Sequence, residues 1–482
     1  MRTLVWFRGK DLRVSDHGPL TSALTTSERE GDVVLLFVLD PYFFAKSRAK
    51  ELPHRMQFLL DSLRALEKNL ATLGGRLLCV EGKSIDVVPE VARTIGAKRV
   101  VAQAWTEPFA RTRDRIVRER LGVPFELFEG ELLAPHGKVR TGAGEPFSVY
   151  TPFARAHRRD VRVEKALAAP KSLPPLGAKL SEIVASSLTV RPIPSLEDLG
   201  LVPNPNVLQG GERAARDRLS RFVETKLERY SDARDVLAAP GTSRLSQDLK
   251  FGVLSPRTVW NASSHATTSE GRDKFTNELL WREFTHHVMH ARPGLLEDPF
   301  REGFRGFPWR EDEPEWQAWV SGRTGYPVVD AAARELLSEG FVHNRARMIT
   351  ASFLTKHLML SYRRGEAHYM KLLTDGDWIQ NNAGWQWSAG CGCDAQPYFR
   401  VFNPVTQGQK FDADGAYVKR WLPELAHLDA KYVHAPWEAP PLVLRAAGVT
   451  LGKTYPHPIV EHAFARDRFL STAKAHLSAP RA

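Results

Sequence analysis

Apolar positions in the first 130 residues form short runs that alternate with longer amphipathic stretches. The strand-like runs lie at Thr3–Phe7, Val33–Leu39, 76–80, 99–104 and 124–128. Helical periodicity is clearest between them, over 56–73 and 109–121. Strands that alternate with helices at this spacing predict an open, parallel, five-stranded α/β sheet of the Rossmann-like type. No G-x-G-x-x-G follows the first strand, so the usual dinucleotide fingerprint is missing from this region.

The pattern changes after this region. Residues 131–206 are rich in Pro, Gly, Ser and Ala and include PKSLPPLG and RPIPS, which is typical of a connection between domains. Helical periodicity dominates beyond them and is interrupted by Gly and Pro turns. The sequence therefore predicts an α/β domain over 1–130, an inter-domain linker over 131–206 and a large all-helical domain over 207–475.

Composition narrows the class of protein. The chain has 482 residues, enough for two or three domains, and ordinary hydrophobic and charged fractions of 43% and 26%. Three cysteines do not indicate a disulfide framework, and the N-terminus lacks the features of a signal peptide. No uncharged apolar run approaches the roughly 20 residues of a membrane span. We therefore expect a cytoplasmic protein, and its net charge of +11 favours a polyanionic partner without naming one.

The segment 375–411, DGDWIQNNAGWQWSAGCGCDAQPYFRVFNPVTQGQKF, combines side chains that a plain hydrophobic core does not combine. It contains the indoles of Trp378, Trp385 and Trp387, the amides of Asn381 and Asn382, the carboxylates of Asp375 and Asp377, and the cations of Arg400 and Lys410. Each buried amide must find hydrogen-bond partners, so this mixture suits a pocket for a flat, hydrogen-bonding aromatic group near a polyanion. The alternative is a Trp-rich helix in a large core.

A second candidate is Tyr230 with the segment GTSRLS at 241–246. Hydroxyl groups and backbone N–H groups at a helix start can bind an anion, with support from the helix dipole. The alternative is an ordinary N-terminal turn with a capping residue.

A third candidate is the predicted helix NELLWREF, in which Glu278, Trp281 and Arg282 share one face at positions i, i+3 and i+4. A carboxylate beside a large ring and a guanidinium can bind the edge of a base while the ring stacks on it. The alternative is an amphipathic helix with an internal pair between Glu278 and Arg282.

A fourth candidate is HNRARM, which places Asn344 and Met348 one turn apart. Arg345 could meet a phosphate, and Arg347 is a natural partner for a buried carboxylate such as Asp375. The alternative is a polar helix start. No zinc or iron–sulfur site is expected, since His286 and His290 lack a third ligand in the right register and the chain has too few cysteines for a cluster.

Seven segments carry a resemblance to a known family. In order they are LVWFRGKDLRVSD, GTSRLS, NELLWREF, TGYPVVDAAARELL, HNRARMITASF, DGDWIQNNAGWQW and PYFRVFNPVTQGQKF. Together they resemble the photolyase/cryptochrome family over nearly the whole chain, and most of all its class I cyclobutane pyrimidine dimer photolyases. The resemblance implies an α/β antenna domain and a helical C-terminal domain that binds FAD.

The resemblance also implies roles for particular residues. Those expected at the FAD phosphates and neighbouring groups are Tyr230, Thr242, Ser243, Leu245 and Ser246. Those expected at the ribityl and isoalloxazine groups are Asp375, Asp377, Asn381 at flavin N5, and Arg347 as the partner of Asp375. Those expected in the lesion pocket are Glu278, Trp281, Asn344, Met348 and Trp387. Those expected at DNA phosphates are Arg234, Arg345, Arg400 and Lys410. The implied catalytic set is Glu278, Asn344, Asn381, Trp385, Tyr362 and Trp309.

The activity implied by the resemblance is that of a light-driven repair enzyme, a deoxyribodipyrimidine photolyase and carbon–carbon lyase. Reduced, anionic FAD donates an electron to a flipped-out cyclobutane pyrimidine dimer, which splits into two pyrimidines, and the electron returns. Photolyases are among the enzymes that take a base out of the duplex stack. The expected partner is UV-damaged DNA, and we expect a monomer with no membrane and no obligate protein partner.

Two related functions are alternatives. A (6-4) photolyase is expected to have a histidine pair where this chain has Asn344 and Met348. A cryptochrome photoreceptor is expected to have Asp or Cys where this chain has Asn381, and often a long C-terminal tail. A third alternative is a nucleic-acid-binding module that stores flavin without chemistry, which would not require Glu278 and Asn344 together.

The chain departs from the family pattern in its electron supply. The family usually has three tryptophans that lead from the flavin to the surface. Trp385 and Trp309 match the inner and outer positions, but the middle position is Tyr362. Tyrosine is harder to oxidise while it keeps its proton. We therefore expect slower photoreduction, or a detour through Trp378 or another ring.

A second departure concerns the antenna chromophore. Folate-binding relatives have an Asn-Glu pair where Phe109 and Ala110 precede Arg111-Thr-Arg113-Asp114. The sequence therefore favours a deazaflavin or a second flavin over methenyltetrahydrofolate, and a protein without an antenna chromophore is also open.

Overall fold

The structure, a computed structural model, describes residues 1–395 and 397–478. Contacts between Cα atoms group the chain into two compact units. The first unit comprises Met1–Glu228 and Ser243–Pro293, and the second comprises Arg229–Thr242 and Gly294–Ala482. Boundaries between folding domains at residues 130 and 206 stay a prediction from the sequence.

The first unit contains a parallel sheet of five strands. They are β1 (Thr3–Phe7), β2 (Val33–Leu39), β3 (Leu77–Glu81), β4 (Arg99–Gln103) and β5 (Phe125–Phe128). Their order in the sheet is β3-β2-β1-β4-β5, and all four pairings are parallel. Every residue of β1, β2 and β4 is buried, as expected for a parallel sheet whose faces are covered. The predicted five-stranded parallel sheet is confirmed.

The rest of the chain is helical. The helices are α1 (Gly18–Thr25), α2 (Pro41–Phe44), α3 (Lys46–Glu51), α4 (Pro53–Thr72), α5 (Ser84–Thr94), α6 (Pro108–Arg120), α7 (Tyr150–Asp160), α8 (Ala178–Ser187), α9 (Glu212–Thr225), α10 (Tyr230–Ala233), α11 (Ser246–Lys250), α12 (Pro256–Ser264), α13 (Glu270–Ala291), α14 (Glu313–Val320), α15 (Pro327–Glu339), α16 (Asn344–Ser352), α17 (Tyr362–Leu372), α18 (Trp378–Ala389), α19 (Pro404–Phe411), α20 (Ala416–Trp421), α21 (Pro441–Ala446) and α22 (His462–Ser478). Short 3-10 turns lie at Pro293–Leu296, Glu302–Phe304, Pro423–Leu425 and Pro436–Glu438, and a π-helical turn lies at Phe353–His357. The predicted fold class is confirmed.

The two helices predicted in the α/β region correspond to α4 and α6. Both begin slightly earlier than the apolar pattern indicates, at Pro53 and Pro108. Proline suits the first position of a helix because its ring sets φ and its missing N–H would have had no helical partner. The periodicity of apolar residues cannot report this position.

The segment predicted as a linker contains α7 and α8. On α7, Phe153 and Ala154 are buried, and Ala154 packs with Leu133 and Leu280 in a small apolar cluster of the first unit. The ring of Phe153 also lies 5.3 Å from that of Phe284 on α13. Helix α7 is thereby attached to α13, which carries two of the predicted site residues.

In the second unit, α17 and α18 pack closely at Gly365. A β-carbon at this position would collide with the indole of Trp385. Only glycine allows the backbone of α17 to lie against that ring. The indole, 4% exposed, is therefore held between two helices in the apolar core of the second unit.

Candidate functional site

The start of α18 in the second unit is set by Asp377. Its Oδ1 accepts hydrogen bonds from the backbone N–H groups of Ile379 (3.0 Å) and Gln380 (3.1 Å), which makes it the N-cap residue. The carboxylate is buried. Asp377 thus has a structural task, the N-cap of α18, as well as a predicted cofactor contact.

The predicted ion pair between Arg347 and Asp375 is present. Nη2 of Arg347 lies 2.9 and 3.1 Å from the two carboxylate oxygens of Asp375, and its Nε donates to the Val342 carbonyl at 2.7 Å. Asp375 is buried, so the guanidinium compensates a charge that would otherwise be poorly solvated. The pair connects α16 to the loop before α18.

Asn381, which is half-buried, belongs to a network of amides around Glu366. Its Nδ2 donates to the Glu366 carbonyl oxygen at 3.0 Å, and Nδ2 of Asn382 donates to the Glu366 carboxylate at 3.1 Å. Nε2 of Gln386 then donates to Oδ1 of Asn382 at 3.1 Å. Burial raises the pKa of Glu366 to about 7. The network fixes the Asn381 amide with its nitrogen engaged and leaves the oxygen as the group it can offer.

The GTSRLS segment is divided between the two units, with Thr242 in the second and Ser243, Leu245 and Ser246 in the first. Oγ of Ser243 accepts a hydrogen bond from the Leu245 N–H at 3.4 Å, and α11 begins at Ser246. Between them, Arg244 has a φ of 54°, so the backbone turns sharply here. Tyr230, in the second unit, is buried at the start of α10.

On α13, Glu278 and Trp281 are both half-buried. The indole of Trp281 is stacked on the ring of Tyr150 from α7, with centroids 3.7 Å apart and planes at 8°. Arg282 donates from Nη1 to the Glu131 carbonyl at 2.8 Å. Sequence reasoning missed Tyr150 because it lies in the predicted linker, although Tyr150, Phe153 and His157 follow helical spacing.

The residues of HNRARM lie at the start of α16. Asn344 is exposed, and its Nδ2 lies 3.9 Å from the Met348 sulfur. Nη2 of Arg345 donates to Asp235 at 2.8 Å, and its guanidinium lies 4.4 Å from the ring centroid of Phe411. Arg345 therefore already has a carboxylate partner, which sequence reasoning did not foresee.

The other cations predicted to contact DNA, which are Arg234, Arg400 and Lys410, also belong to the second unit. Arg234 lies 3.7 Å from the Asp235 carboxylate, and Lys410 lies 5.2 Å from the ring centroid of Phe411, so both share a neighbour with Arg345. Arg400 is exposed, and Trp387 on α18 is half-buried. Three of the four cations thus cluster around Asp235 and Phe411, a convergence that depends on the fold.

The aromatic residues predicted to carry electrons are found in two groups. The rings of Trp309 and Tyr362 are 6.3 Å apart. Among the described residues, Trp385 contacts the rings of Trp319 (6.1 Å) and Tyr369 (5.2 Å).

The group of rings that contains Trp385 and Trp319 extends to the surface. Trp319 stacks on Trp316 at 5.4 Å, and Trp316 is only partly buried. Sequence reasoning did not single out Trp316 and Trp319, although their i, i+3 spacing places them on one face of α14. Burial raises the pKa of Tyr362, so its phenol keeps its proton at neutral pH.

The protein combines a parallel α/β sheet with a helical remainder. This remainder carries buried carboxylates and amides, together with stacked indoles and clustered cations. These features define the class of protein to which the chain belongs. Comparison with protein families is consistent with this. Residues 3–174 match the DNA photolyase family, and residues 275–475 match the FAD binding domain of DNA photolyase. No helix in the described part of the chain is both long and apolar enough to cross a membrane.

Individual relatives cover almost the whole chain. The deoxyribodipyrimidine photo-lyase of Agrobacterium fabrum is 39% identical over 480 residues, 98% of this chain and 97% of the relative. A bacterial class III photolyase from Agrobacterium tumefaciens superimposes with a TM-score of 0.90 at 37% identity, covering 99% of this chain and 98% of that one. A cryptochrome from Synechocystis superimposes with a TM-score of 0.87 at 29% identity, covering 98% and 99%. The chain belongs to the DNA photolyase family.

The side chains around Asp375 fit FAD, the cofactor of the matched domain. The hydroxyl of Thr374 is buried and has no hydrogen-bond partner among the described residues, which indicates a partner from outside the protein. Asp375, which follows Thr374 in the chain, Asp377 and the oxygen of Asn381 supply acceptors. The isoalloxazine and ribityl groups of a flavin present the N–H and O–H donors that such acceptors bind.

Proposed function

We propose that this chain is a light-driven DNA repair enzyme, a deoxyribodipyrimidine photolyase that splits cyclobutane pyrimidine dimers into two pyrimidines. The observation that carries the proposal is the 39% identity, over 98% of the chain, with a protein that has this name. The placement of Glu278 and Trp281 on one face of α13 supports it, because that face combines a hydrogen-bond acceptor with a ring for stacking.

FAD is proposed to bind through two groups of residues. Its phosphates and neighbouring groups are assigned to Tyr230, Thr242, Ser243, Leu245 and Ser246, and its ring system to Asp375, Asp377 and Asn381. Arg347 orients the Asp375 carboxylate, and the backbone carbonyl of Glu366 holds the Asn381 amide. When bound and reduced, the cofactor supplies the light-driven one-electron reduction that opens the cyclobutane ring. The protein's part is to orient the reactants and keep water away.

The lesion is proposed to bind to Glu278, Trp281, Asn344, Met348 and Trp387. Glu278 accepts hydrogen bonds from the pyrimidine edges, and the indoles supply flat apolar walls. A damaged pair leaves the duplex more readily than an intact one, which contributes selectivity. Asn344 and Met348 occupy the positions where a (6-4) photolyase is expected to have histidines, and this favours the cyclobutane dimer as substrate.

Binding to the DNA backbone is assigned to Arg234, Arg345, Arg400 and Lys410. Arg400 and Lys410 are exposed and can meet phosphates directly. Arg345 shares Asp235 with Arg234, so these two carry less net positive charge to the DNA. Electrons that restore the reduced cofactor are assigned to Trp385 and then to Tyr362 and Trp309, or to Trp319 and Trp316.

A cryptochrome-type photoreceptor is the second candidate function, because the chain is also similar in structure to the Synechocystis cryptochrome. One experiment separates the candidates. The reduced holoprotein is illuminated with blue light, without oxygen, in the presence of oligonucleotides that carry either a cyclobutane dimer or a (6-4) product. We expect loss of the cyclobutane dimer alone. A protein that is photoreduced but repairs neither lesion would contradict the proposal and favour the photoreceptor.

Further properties are proposed with the function. The chain acts as a monomer in the cytoplasm, without an obligate protein partner. Its antenna chromophore is a deazaflavin or a second flavin rather than methenyltetrahydrofolate, unless it has none, since Phe109 and Ala110 replace the expected folate anchor. Chromophore extraction and an absorption spectrum of the purified protein test this, and extracted folate would contradict it.

A further inference from the structure

Trp281 is the predicted stacking platform for the lesion, and one of its faces is already covered. The ring of Tyr150 lies parallel to the indole, with centroids 3.7 Å apart and an interplanar angle of 8°. Phe284 meets both rings edge-on, at 5.9 Å from Trp281 and 6.0 Å from Tyr150. All three residues belong to the first unit. The indole therefore has a single face for a flat ligand.

Tyr150 is held in place at its hydroxyl end as well. Its Oη lies 2.9 Å from the carbonyl oxygen of Asn277 and 3.1 Å from Oδ1 of the same residue. Arg158, two turns further along α7, donates to this Oδ1 at 2.6 Å. Asn277 lies one turn before Trp281 on α13. Burial and the nearby Glu278 carboxylate raise the pKa of Tyr150, so its hydroxyl remains a donor at neutral pH.

This arrangement determines how freely the indole can move. Rotation of Trp281 about its side-chain bonds would break the parallel stack with Tyr150. A ring that is already in its bound orientation loses less conformational freedom when a ligand stacks on it. Without Tyr150, the half-buried indole could turn into the space that the phenol ring now fills.

We propose that Tyr150 is a positioning residue for lesion recognition: by covering one face of Trp281, it fixes the indole plane on which a flipped-out pyrimidine stacks. The inference rests on the proposed function, in which Trp281 is a wall of the lesion pocket. It adds a residue from the segment predicted as a linker to the recognition of the substrate. The ring of Tyr150 carries this role, and its hydroxyl has the secondary task of alignment.

The test compares Tyr150→Leu with Tyr150→Phe and with the control Tyr42→Leu. Tyr42 is an exposed tyrosine of the first unit that also contacts another ring, that of Phe43. Affinity of the holoprotein is measured for an oligonucleotide with one cyclobutane dimer and for its undamaged counterpart. For Tyr150→Leu we expect a fall of about tenfold for dimer DNA only, in the range that loss of one stacking contact produces. Tyr150→Phe and Tyr42→Leu should stay within about twofold of the parent on both DNAs.

A second readout separates positioning from catalysis. The repair yield per absorbed photon at saturating dimer DNA should be the same in Tyr150→Leu and the parent. An equal loss of affinity for both DNAs, or no loss for either, would overturn the inference. If Tyr150→Leu loses its FAD absorbance, Tyr150→Met is judged by the same criteria, and loss of FAD in both variants would assign the stack to folding instead. A parent protein with no preference for dimer DNA would instead contradict the proposed function.

Discussion

The ammonium group of Lys356 donates a hydrogen bond of 2.9 Å to the backbone carbonyl of Arg400. Lys356 is 0% exposed and lies in the π-helical turn Phe353–His357, a kind of distortion that is frequent at functional sites. Arg400 is exposed and is one of the proposed phosphate contacts. A buried lysine thus anchors the loop that carries a surface cation.

This anchor predicts a pH dependence of stability. Burial lowers the pKa of Lys356 to about 7 from 10.5, so between these values the unfolded chain binds more protons than the folded one. The contribution of Lys356 to the unfolding free energy therefore rises as pH increases through this window. Relative to Lys356→Met, the parent should gain roughly 2–3 kcal/mol between pH 7 and pH 9 in denaturant unfolding.

Lys371→Met, at an exposed lysine of α17, is the matched control and should show a difference from the parent that does not change with pH. A pH-independent difference for Lys356→Met as well would contradict the prediction.

For Glu366 we expect the opposite effect at lower pH, where its contribution to the unfolding free energy falls as pH increases. Its pKa is raised to about 7 from 4.5, so the folded state holds a proton that the unfolded chain releases. The contribution of Glu366 is complete below pH 4.5 and is lost as pH rises through 7. Glu366→Gln keeps the acceptor for Asn382 without the charge, and should become more stable relative to the parent by up to about 3 kcal/mol from pH 5 to pH 8.5.

Thermal or denaturant unfolding of the holoprotein at both pH values checks this. Glu438→Gln, at an exposed glutamate of the second unit, is the control. The prediction fails if Glu366→Gln and the parent follow parallel pH profiles.

Two routes for photoreduction are proposed to start at Trp385, one through Tyr362 and one through the contacting ring of Trp319. Trp319→Phe should slow photoreduction of the oxidised flavin more than Tyr362→Phe, because an indole is oxidised more easily than a phenol that keeps its proton. Trp385→Phe should slow it most, since both routes begin there. Transient absorption measures these rates, and repair by pre-reduced protein should be the same in all three variants. Equal rates in Trp385→Phe and the parent would exclude Trp385 as the entry point.

We expect substitution of Glu278 to weaken recognition of the substrate. Removal of a charged hydrogen-bond acceptor from a pocket costs about 1.5–3 kcal/mol, so Glu278→Ala should bind dimer DNA roughly 10–100 times more weakly. Glu270→Ala, at an exposed carboxylate in the first turn of the same helix, should bind it like the parent. Competition binding with dimer-containing and undamaged DNA is the measurement. Undiminished affinity and repair in Glu278→Ala would remove Glu278 from the proposed pocket.

We expect substitution of Lys410 to change the salt dependence of DNA affinity and to leave the selectivity for damaged DNA unchanged. Its exposed ammonium should release about one counterion on binding, so Lys410→Ala should reduce the slope of log affinity against log salt by about 1. Damaged and undamaged DNA should weaken equally. Lys431→Ala, at another exposed lysine of the second unit, is the control. A variant that loses affinity for dimer DNA alone would place Lys410 in the lesion pocket instead.

The sequence by itself determined the sheet, the helical remainder and the family. Strand-like runs at Thr3–Phe7 and Val33–Leu39 match β1 and β2 at both ends, because a strand buried on both faces is written as an unbroken apolar run. The ion pair of Arg347 with Asp375 was also predicted, since a buried carboxylate needs a cation as its partner.

Only the tertiary structure decided which side chains adjoin the predicted ones. The stack of Tyr150 on Trp281, the contact of Trp385 with Trp319 and the pairing of Arg345 with Asp235 each join segments far apart in sequence. Local periodicity reports which face of an element is apolar, but not which other element covers that face. For this reason the sequence identified the indoles and cations of the candidate site, but not their neighbours. Only the packing showed which rings stack on those indoles and which carboxylates pair with those cations.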